Sequence, residues 1–356
     1  MKNQNLIDKL HSLYIEITSM CNLRCSYCYN ESDSKNQEEL EYDDIMEIVN
    51  DAKENLSIKD IILSGGEPLL HKDIVKICEA VKQAGFNLKI NSNGTLITED
   101  ILNKIKHTDP VFQITIDSHD EAINDKSRGK DSFNRINTGL KAISKHYDIG
   151  RVIIRCNLNF DFIESNDSLK KYASYLNDYG IKFAYIALIT CQGRAKLCTY
   201  PNRRNNSLEI MKLTNSLQEA LIDKQIKLVT PTTAVCQACP YANVEKYRWY
   251  YTLHISPKGN VYPCSGLLGD AYILGNIKEE KLSNVFTGEK MIAFIKSAEE
   301  RLQSIEECRS CILRGFCGKG CISECESYDS FYSVDGQCSL RKNEIKRLLA
   351  AELKKV

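Results

Sequence analysis

The chain has 356 residues, 43% hydrophobic and 26% charged, enough for a real core and two domains. Its 47 basic and 47 acidic side chains cancel, which gives no electrostatic ground for binding nucleic acid or an anionic membrane. Residues Met1 to Leu10 are polar, without the apolar stretch of a secretory signal, and no apolar run approaches the roughly 20 residues of a membrane helix. A cytoplasmic location is expected by default.

The first 190 residues alternate strand-like and helix-like segments. Leu13–Ile17 alternates at period two and reads as a strand. Ile45, Ile48, Val49, Ala52 and Leu56 recur at helical spacing, and Asp60–Leu63 is a short buried strand before a glycine turn. Ile74, Val75, Ile77, Cys78 and Val81 mark a second helix, with Gly85 as its stop. Strands follow near Leu88–Asn91, Phe112–Ile116, Val152–Leu158 and Phe183–Leu188. Helical stretches around Glu99–Ile105, Phe133–Ser144 and Ser168–Tyr179 separate them. Such alternation predicts an α/β fold with a parallel sheet, and six units are too few for a closed eight-strand barrel. A partial barrel over residues 1–195 is the expected form, with its chemistry at the C-terminal strand ends. Residues 196–234 read as a bridge, helical through Leu208–Ile226. Residues 235–342 are loop-rich and cysteine-rich, and 343–356 close the chain as a basic helix.

The 16 cysteines are too many for a reducing compartment unless most of them bind metal. Three lie between Cys21 and Cys28; eleven lie from Cys191 onward, six of them between Cys308 and Cys338. Cys78 and Cys156 sit in apolar patterns and read as core thiols. Cys21-Asn-Leu-Arg-Cys25-Ser-Tyr-Cys28 directly follows the first strand. Three thiolates on one tight loop can hold three irons of a cubane cluster and leave the fourth open to a small molecule. A structural zinc site would need a fourth ligand, and the nearest candidate is His11, before the strand.

This C-x3-C-x2-C spacing, with Tyr27 before the last cysteine, resembles the radical S-adenosylmethionine (SAM) superfamily. The resemblance implies a partial (β/α)6 TIM-like barrel and a [4Fe–4S] cluster whose open iron binds SAM and splits it on reduction to a 5′-deoxyadenosyl radical. It extends to Ser64-Gly65-Gly66-Glu67-Pro68, which looks like the family's GGEP motif and implies a contact with the SAM amino group. By the same resemblance Asn91, Asn93, Thr115 and Asp117 would reach the ribose and carboxylate. Arg128, a short loop further on, would pair with the carboxylate. Asn157 and Leu188 would lie near the adenosine. Gly193-Arg194-Ala195 is also typical of peptide-modifying relatives, without an assigned role.

The C-terminal cysteines resemble the SPASM extension of these enzymes. Gly259-x4-Cys264 is preceded by Cys236 and Cys239, and followed by Cys308-x2-Cys311-x5-Cys317-x3-Cys321 and then Cys338. The resemblance implies two auxiliary [4Fe–4S] clusters, one on Cys236, Cys239, Cys264 and Cys321, the other on Cys308, Cys311, Cys317 and Cys338. The tight Cys236/Cys239 pair and its long gap to Cys264 depart from the pattern; without one of that pair, the cluster would have an open site for substrate. A zinc-ribbon module is the bland alternative. Cys191 and Cys198 are loop thiols or channel thiols, and Cys325 reads as a spare. Tyr247, Trp249, Tyr250 and Tyr251 are aromatics that either line a peptide groove or pack between domains.

The implied function is a peptide- or protein-modifying maturase with a flavodoxin- or ferredoxin-type electron donor. A first strand near Leu13 leaves no N-terminal leader-binding domain, so a separate partner protein or the SPASM surface would hold the leader. The runner-up is a formylglycine-forming sulfatase maturase, against which stands Ser265, where an aspartate base would follow Cys264. The alternative of another class is a non-catalytic iron–sulfur electron carrier or scaffold, which would have no use for a SAM pocket.

Overall fold

The expected strands form, and their most deeply buried apolar residues line up on one side. β1 (Leu10–Thr18), β2 (Asp60–Gly65), β3 (Asn87–Ser92), β4 (Val111–Thr115), β5 (Val152–Leu158) and β6 (Phe183–Leu188) pair in parallel and in sequence order. The computed structural model describes residues 6–158, 166–189, 191–197, 207–229, 251–314, 317, 320–328, 330–334 and 338–353. Cys198, Cys236, Cys239, Tyr247, Trp249 and Tyr250 lie outside these residues.

The register aligns rows across the sheet. Ile15 stands beside Leu63, Leu63 beside Ile90, Ile90 beside Phe112 and Phe112 beside Val152. These residues are fully buried and belong to the main core, together with Ile45, Ile48, Val49 and Ala52 of helix α1 (Tyr42–Asn55) and Ile77, Cys78 and Val81 of α2 (Ile74–Gln83). Side chains alternate along a strand, so the neighbours of these residues form the opposite row. That row holds Tyr14, Glu16, Ser64, Lys89, Asn91, Gln113, Thr115, Arg155, Asn157 and Tyr185. One face of the sheet is therefore a hydrophobic floor for helices, and the other carries these polar side chains beside Ile62, Ile153 and Phe183. Helices α3 (Glu99–Ile105), α4 (Glu121–Arg128), α5 (Ser132–His146) and α6 (Asn166–Asp178) complete the units. The stretch read as a short loop before Arg128 is α4, capped by the Asp120 side chain on the Ile123 amide at 3.0 Å.

The sheet does not stop at six strands. Its order is β10-β9-β8-β1-β2-β3-β4-β5-β6-β7, with β7 (Lys227–Leu228), β8 (Tyr251–Ile255), β9 (Asn260–Tyr262) and β10 (Gly275–Asn276). β8 runs parallel to β1, with Leu253 beside Leu13 and His254 beside Tyr14, while β9 and β10 turn back antiparallel. The cysteine-rich half thus adds three strands to the free edge of the barrel sheet. The remaining helices are α7 (Ser207–Asp223), α8 (Leu282–Thr287), α9 (Glu289–Ser304), α10 (Glu306–Arg309), α11 (Ile322–Tyr328) and α12 (Cys338–Leu353). Two elements hold the halves together. Asp51 of α1 accepts from the Ser283 amide at 2.7 Å and the Ser283 hydroxyl at 2.9 Å, so a barrel helix caps α8. Tyr251 pairs with Leu10 of β1, its amide donating to Lys9 O at 2.7 Å, and its ring, 1% exposed, packs edge-on against Phe286 on the C-terminal side. The C-terminal half carries more helix than its loop-like composition indicates. In α9, Met291, Phe294, Ile295 and Ala298 recur at helical spacing and pack into or against the core. No helix among the described residues is long and apolar enough to cross a membrane.

Candidate active site

The loop after β1 carries Cys21, Cys25 and Cys28, all unpaired thiols. Backbone bonds fix it at several points: the Cys21 amide donates to Asp33 O at 3.0 Å, Ser26 N to Ser127 O at 2.8 Å, and Cys28 N to Cys25 O at 3.3 Å. Burial pushes the Cys21 thiol up to about 12, and the charges of Glu67, Cys25 and Cys28 add to it. Burial raises Cys25 to about 11, against the pull of Arg128. Desolvated thiols such as Cys21 and Cys25 are costly to ionise unless a cation stands among them, and bound iron ionises thiols outright. No three His, Cys, Asp or Glu side chains among the described residues converge to hold a single ion. A cubane instead spreads its thiolates over separate irons. The donor set therefore fits a cluster.

Gly65 and Gly66 end β2 against this loop. A Cβ at Gly65 would stand 2.2 Å from Thr18 O, and one at Gly66 2.2 Å from Met20 O. The Gly66 and Glu67 amides donate to those same carbonyls, each at 2.8 Å. These glycines let strand β2 dock on the backbone leading into Cys21. Glu67 is fully buried; it accepts from Leu69 N at 3.1 Å, the Ser92 hydroxyl at 2.9 Å and Asn93 N at 2.7 Å. Burial raises its carboxyl to about 7, although these three bonds pull it down. Pro68 begins the buried turn behind it. Asn93 reaches back to the Asn22 side chain at 2.9 Å and to Cys21 Sγ at 3.7 Å.

A second network closes the other side. Tyr27 donates to Asp117 Oδ2 at 2.5 Å and accepts from Arg128 at 2.9 Å. Asn157 donates to both Tyr27 and Asp117 at 3.2 Å, and Ser127 donates to Asp117 at 2.9 Å. Burial acts against the Arg128 charge, but Tyr27, Cys25 and Asp117 outweigh it and hold the guanidinium cationic. Its Nε is buried and has no hydrogen-bond partner among the described residues, and the same is true of Asn91 Oδ1. One unmet donor on a buried cation and one unmet acceptor facing the inner surface suit a ligand with a carboxylate and a donor group, as SAM has. Thr115 also faces inward. Leu188 shares the helix-facing row of Ala184 and Ile186 and packs against the core edge.

The inner row also holds residues that belong to no cysteine or glycine motif. Glu16 accepts from Tyr29 at 2.7 Å and from Asn30, and its Oε1 lies 3.6 Å from His254 Nε2 of β8. Burial alone would raise the Glu16 carboxyl, but His254, Asn30 and Tyr29 outweigh it and lower it. Lys89 and Arg155 put two positive charges on the same face, Arg155 over the Tyr185 ring at 5.9 Å. Their signal was available as the polar positions of alternating strands, but alternation alone does not say which face is a site.

In the C-terminal half, Cys308, Cys311 and Cys317 come together. Burial raises the Cys308 thiol, Arg301 opposes this, and the Cys317 and Cys311 thiols add to it. Cys338 opens α12, and Cys321 stands just before α11. Cys264 follows β9; Gly266 beside it lies against Ser323, where an added Cβ would fall 2.2 Å from the hydroxyl oxygen. The Cys264 turn thus meets the segment carrying Cys321. Cys325 is fully buried and takes a hydrogen bond from Arg301 at 2.6 Å. Cys78 and Cys156 are buried in the core, as their apolar patterns predict.

Comparison with known proteins agrees with this geometry. The Radical SAM superfamily model matches residues 15–161, and the SPASM model, an iron–sulfur cluster-binding domain, matches 247–312. A tungsten-containing aldehyde ferredoxin oxidoreductase cofactor-modifying protein of Pyrococcus furiosus is 25% identical over 86% of this chain and 88% of its own length. A probable GTP 3′,8-cyclase of Saccharolobus islandicus is 27% identical over 66% of this chain and 76% of its own. Among solved structures, native anSMEcpe with bound AdoMet gives a TM-score of 0.75 at 19% identity, covering 96% of this chain and 98% of that one. Streptococcus suis SuiB bound to the precursor peptide SuiA gives 0.72 at 18%, covering 95% and 78%. The chain carries a radical SAM domain followed by a C-terminal SPASM iron–sulfur cluster-binding domain.

Proposed function

We propose that the chain is a maturase that removes a hydrogen atom from a ribosomally made peptide or protein and so installs a crosslink, a thioether or a related oxidation. The carrying observation is the union of the two halves: β8 pairs with β1, so the auxiliary-cysteine half is built onto the radical site's own sheet. Solved structures of similar fold hold peptides, Cp18Cys in anSMEcpe and SuiA in SuiB. With a reduced cluster and SAM bound, the site would supply a 5′-deoxyadenosyl radical able to break an unactivated C–H bond. Cys21, Cys25 and Cys28 would hold that cluster. Glu67 and Asn93 would shape its rim, Arg128 would take the SAM carboxylate, and Asn91 would offer its free acceptor to the ligand. Cys264 and Cys321, with Cys236 and Cys239, would hold one auxiliary cluster. Cys308, Cys311, Cys317 and Cys338 would hold the other. A flavodoxin- or ferredoxin-type protein would supply the electron. Residues 1–195, 196–234, 235–342 and 343–356 are proposed as barrel, bridge, SPASM region and closing helix.

A small-molecule substrate is the second reading, favoured by the cofactor-modifying relative that the chain matches along most of its length. The test is anaerobic purification, iron counting, and reduction in the presence of SAM. About 12 irons per chain and release of 5′-deoxyadenosine are expected. Peptides encoded beside the gene are then incubated with the enzyme and weighed. A mass change on such a peptide supports the maturase; SAM cleavage with none of these peptides altered would remove it in favour of the second reading.

A further inference from the structure

Three residues after β6 touch both cysteine regions. Gly193 has φ +51°, and a Cβ there would lie 2.4 Å from both Cys28 O and Tyr29 O. Arg194 is 8% exposed. Its backbone amide donates to Cys28 O at 3.0 Å, its Nε to Cys25 O at 2.8 Å and its terminal nitrogen to Ser32 O at 2.8 Å. Gln192 points the other way, donating from its side chain to Gly266 O at 2.7 Å, two residues past Cys264. The turn is closed on itself, since Ala195 N donates to Gln192 O at 3.1 Å, and Ala195 is fully buried.

We propose that Gln192, Gly193 and Arg194 form a clasp that fixes the Cys21–Cys28 loop against the Cys264 turn, with Arg194 as a positioning residue for the radical-generating site. The loop between β1 and α1 runs from Ser19 to Glu41 with only isolated bridges for regular structure. Its carbonyls at Cys25, Cys28 and Ser32 mark the last two of the three cysteines and the chain just beyond, and one side chain with its own amide takes all three. A guanidinium suits this because its donors are fixed in one plane; an ammonium on a flexible stem cannot hold two separated carbonyls in the same way. Gly193 lets the backbone approach closely enough for the amide bond, which a Cβ would block. The same segment that fixes the cluster loop thus reaches the auxiliary turn, and three consecutive residues link the two cysteine regions directly. Small displacements of a reacting centre are expensive in rate, which gives such a clasp a catalytic consequence without contact to substrate.

The test uses the full-length enzyme with all clusters in place, in the variants Arg194→Lys and Gln192→Ala. Arg194→Lys is expected to keep its circular dichroism, its iron content and the electron paramagnetic resonance signals of the auxiliary clusters. The shift that SAM induces in the reduced loop cluster's signal should weaken, and 5′-deoxyadenosine formation should fall by about tenfold or more. Gln192→Ala should keep that SAM-induced shift but alter the magnetic coupling between the loop cluster and its auxiliary neighbour. An Arg194→Lys enzyme with the parent's SAM-induced shift and a rate within about twofold of it would overturn the proposal. Loss of the auxiliary signals together with the loop signal would also overturn it, because the segment would then be a general folding element.

Discussion

Arg128 is 3% exposed and bonds to Tyr27, yet its Nε meets nothing among the described residues. An unmet buried donor costs about 1–3 kcal/mol, and more on a charged group, so the folded site is short of one acceptor. A ligand carboxylate would supply it. Arg128→Lys keeps the charge but loses the fork that reaches Tyr27 and a ligand together. We expect SAM affinity, measured by calorimetry on the iron-loaded enzyme, to fall by about tenfold, the equivalent of about 1.4 kcal/mol. Iron content should be unchanged. Equal affinities for parent and variant would show that Nε does not face the ligand.

Arg128 ends α4, and the next element holds it in place. Asp125 of α4 accepts from Asp131 N at 2.5 Å, the Ser132 hydroxyl at 2.8 Å and Phe133 N at 2.8 Å, so α4 caps α5 across a tight turn. Partial burial would raise the Asp125 carboxyl, but the bonds from Phe133, Ser132 and Asp131 outweigh it and lower it. A carboxyl lowered by folding stabilises the fold above its unfolded value, about 3.9, and that gain is lost as pH falls through the lower folded value. Asp125→Asn should therefore cost about 1 kcal/mol in urea unfolding, by a margin that is flat from pH 8 to pH 5. A margin that already shrinks between those two pH values would assign the effect to another group.

At the scale of the whole molecule, the decisive contact is β8 on β1. Tyr251, Leu253 and Ile255 are at most 1% exposed and extend the core past the barrel's first strand. Without them β1 is a bare, apolar parallel edge, which pairs readily with other chains. A fragment ending at residue 229 is expected to aggregate or to lose cooperative unfolding, measured by size exclusion and thermal circular dichroism. A monomeric fragment with a sharp transition would mean that the barrel folds without its C-terminal half.

The sequence alone determined the local features. The C-x3-C-x2-C loop, the glycine turn at Gly65-Gly66 and the six strands are set by neighbours in the chain and were legible there. Residues on one strand face reveal their alternation, so the floor of the sheet could be read from Ile15, Leu63 and Ile90. What only the tertiary structure decided involves residues far apart in sequence. β8 finds β1 across some 240 positions, and a parallel pairing at that distance has no local signature. The same holds for Glu67, whose partners Ser92 and Asn93 lie on another strand end, and for Glu16, which meets His254. Gly193-Arg194 was visible as a motif without a role, because its partners at Cys25, Cys28 and Ser32 appear only once β6 has brought the turn beside the first strand's loop.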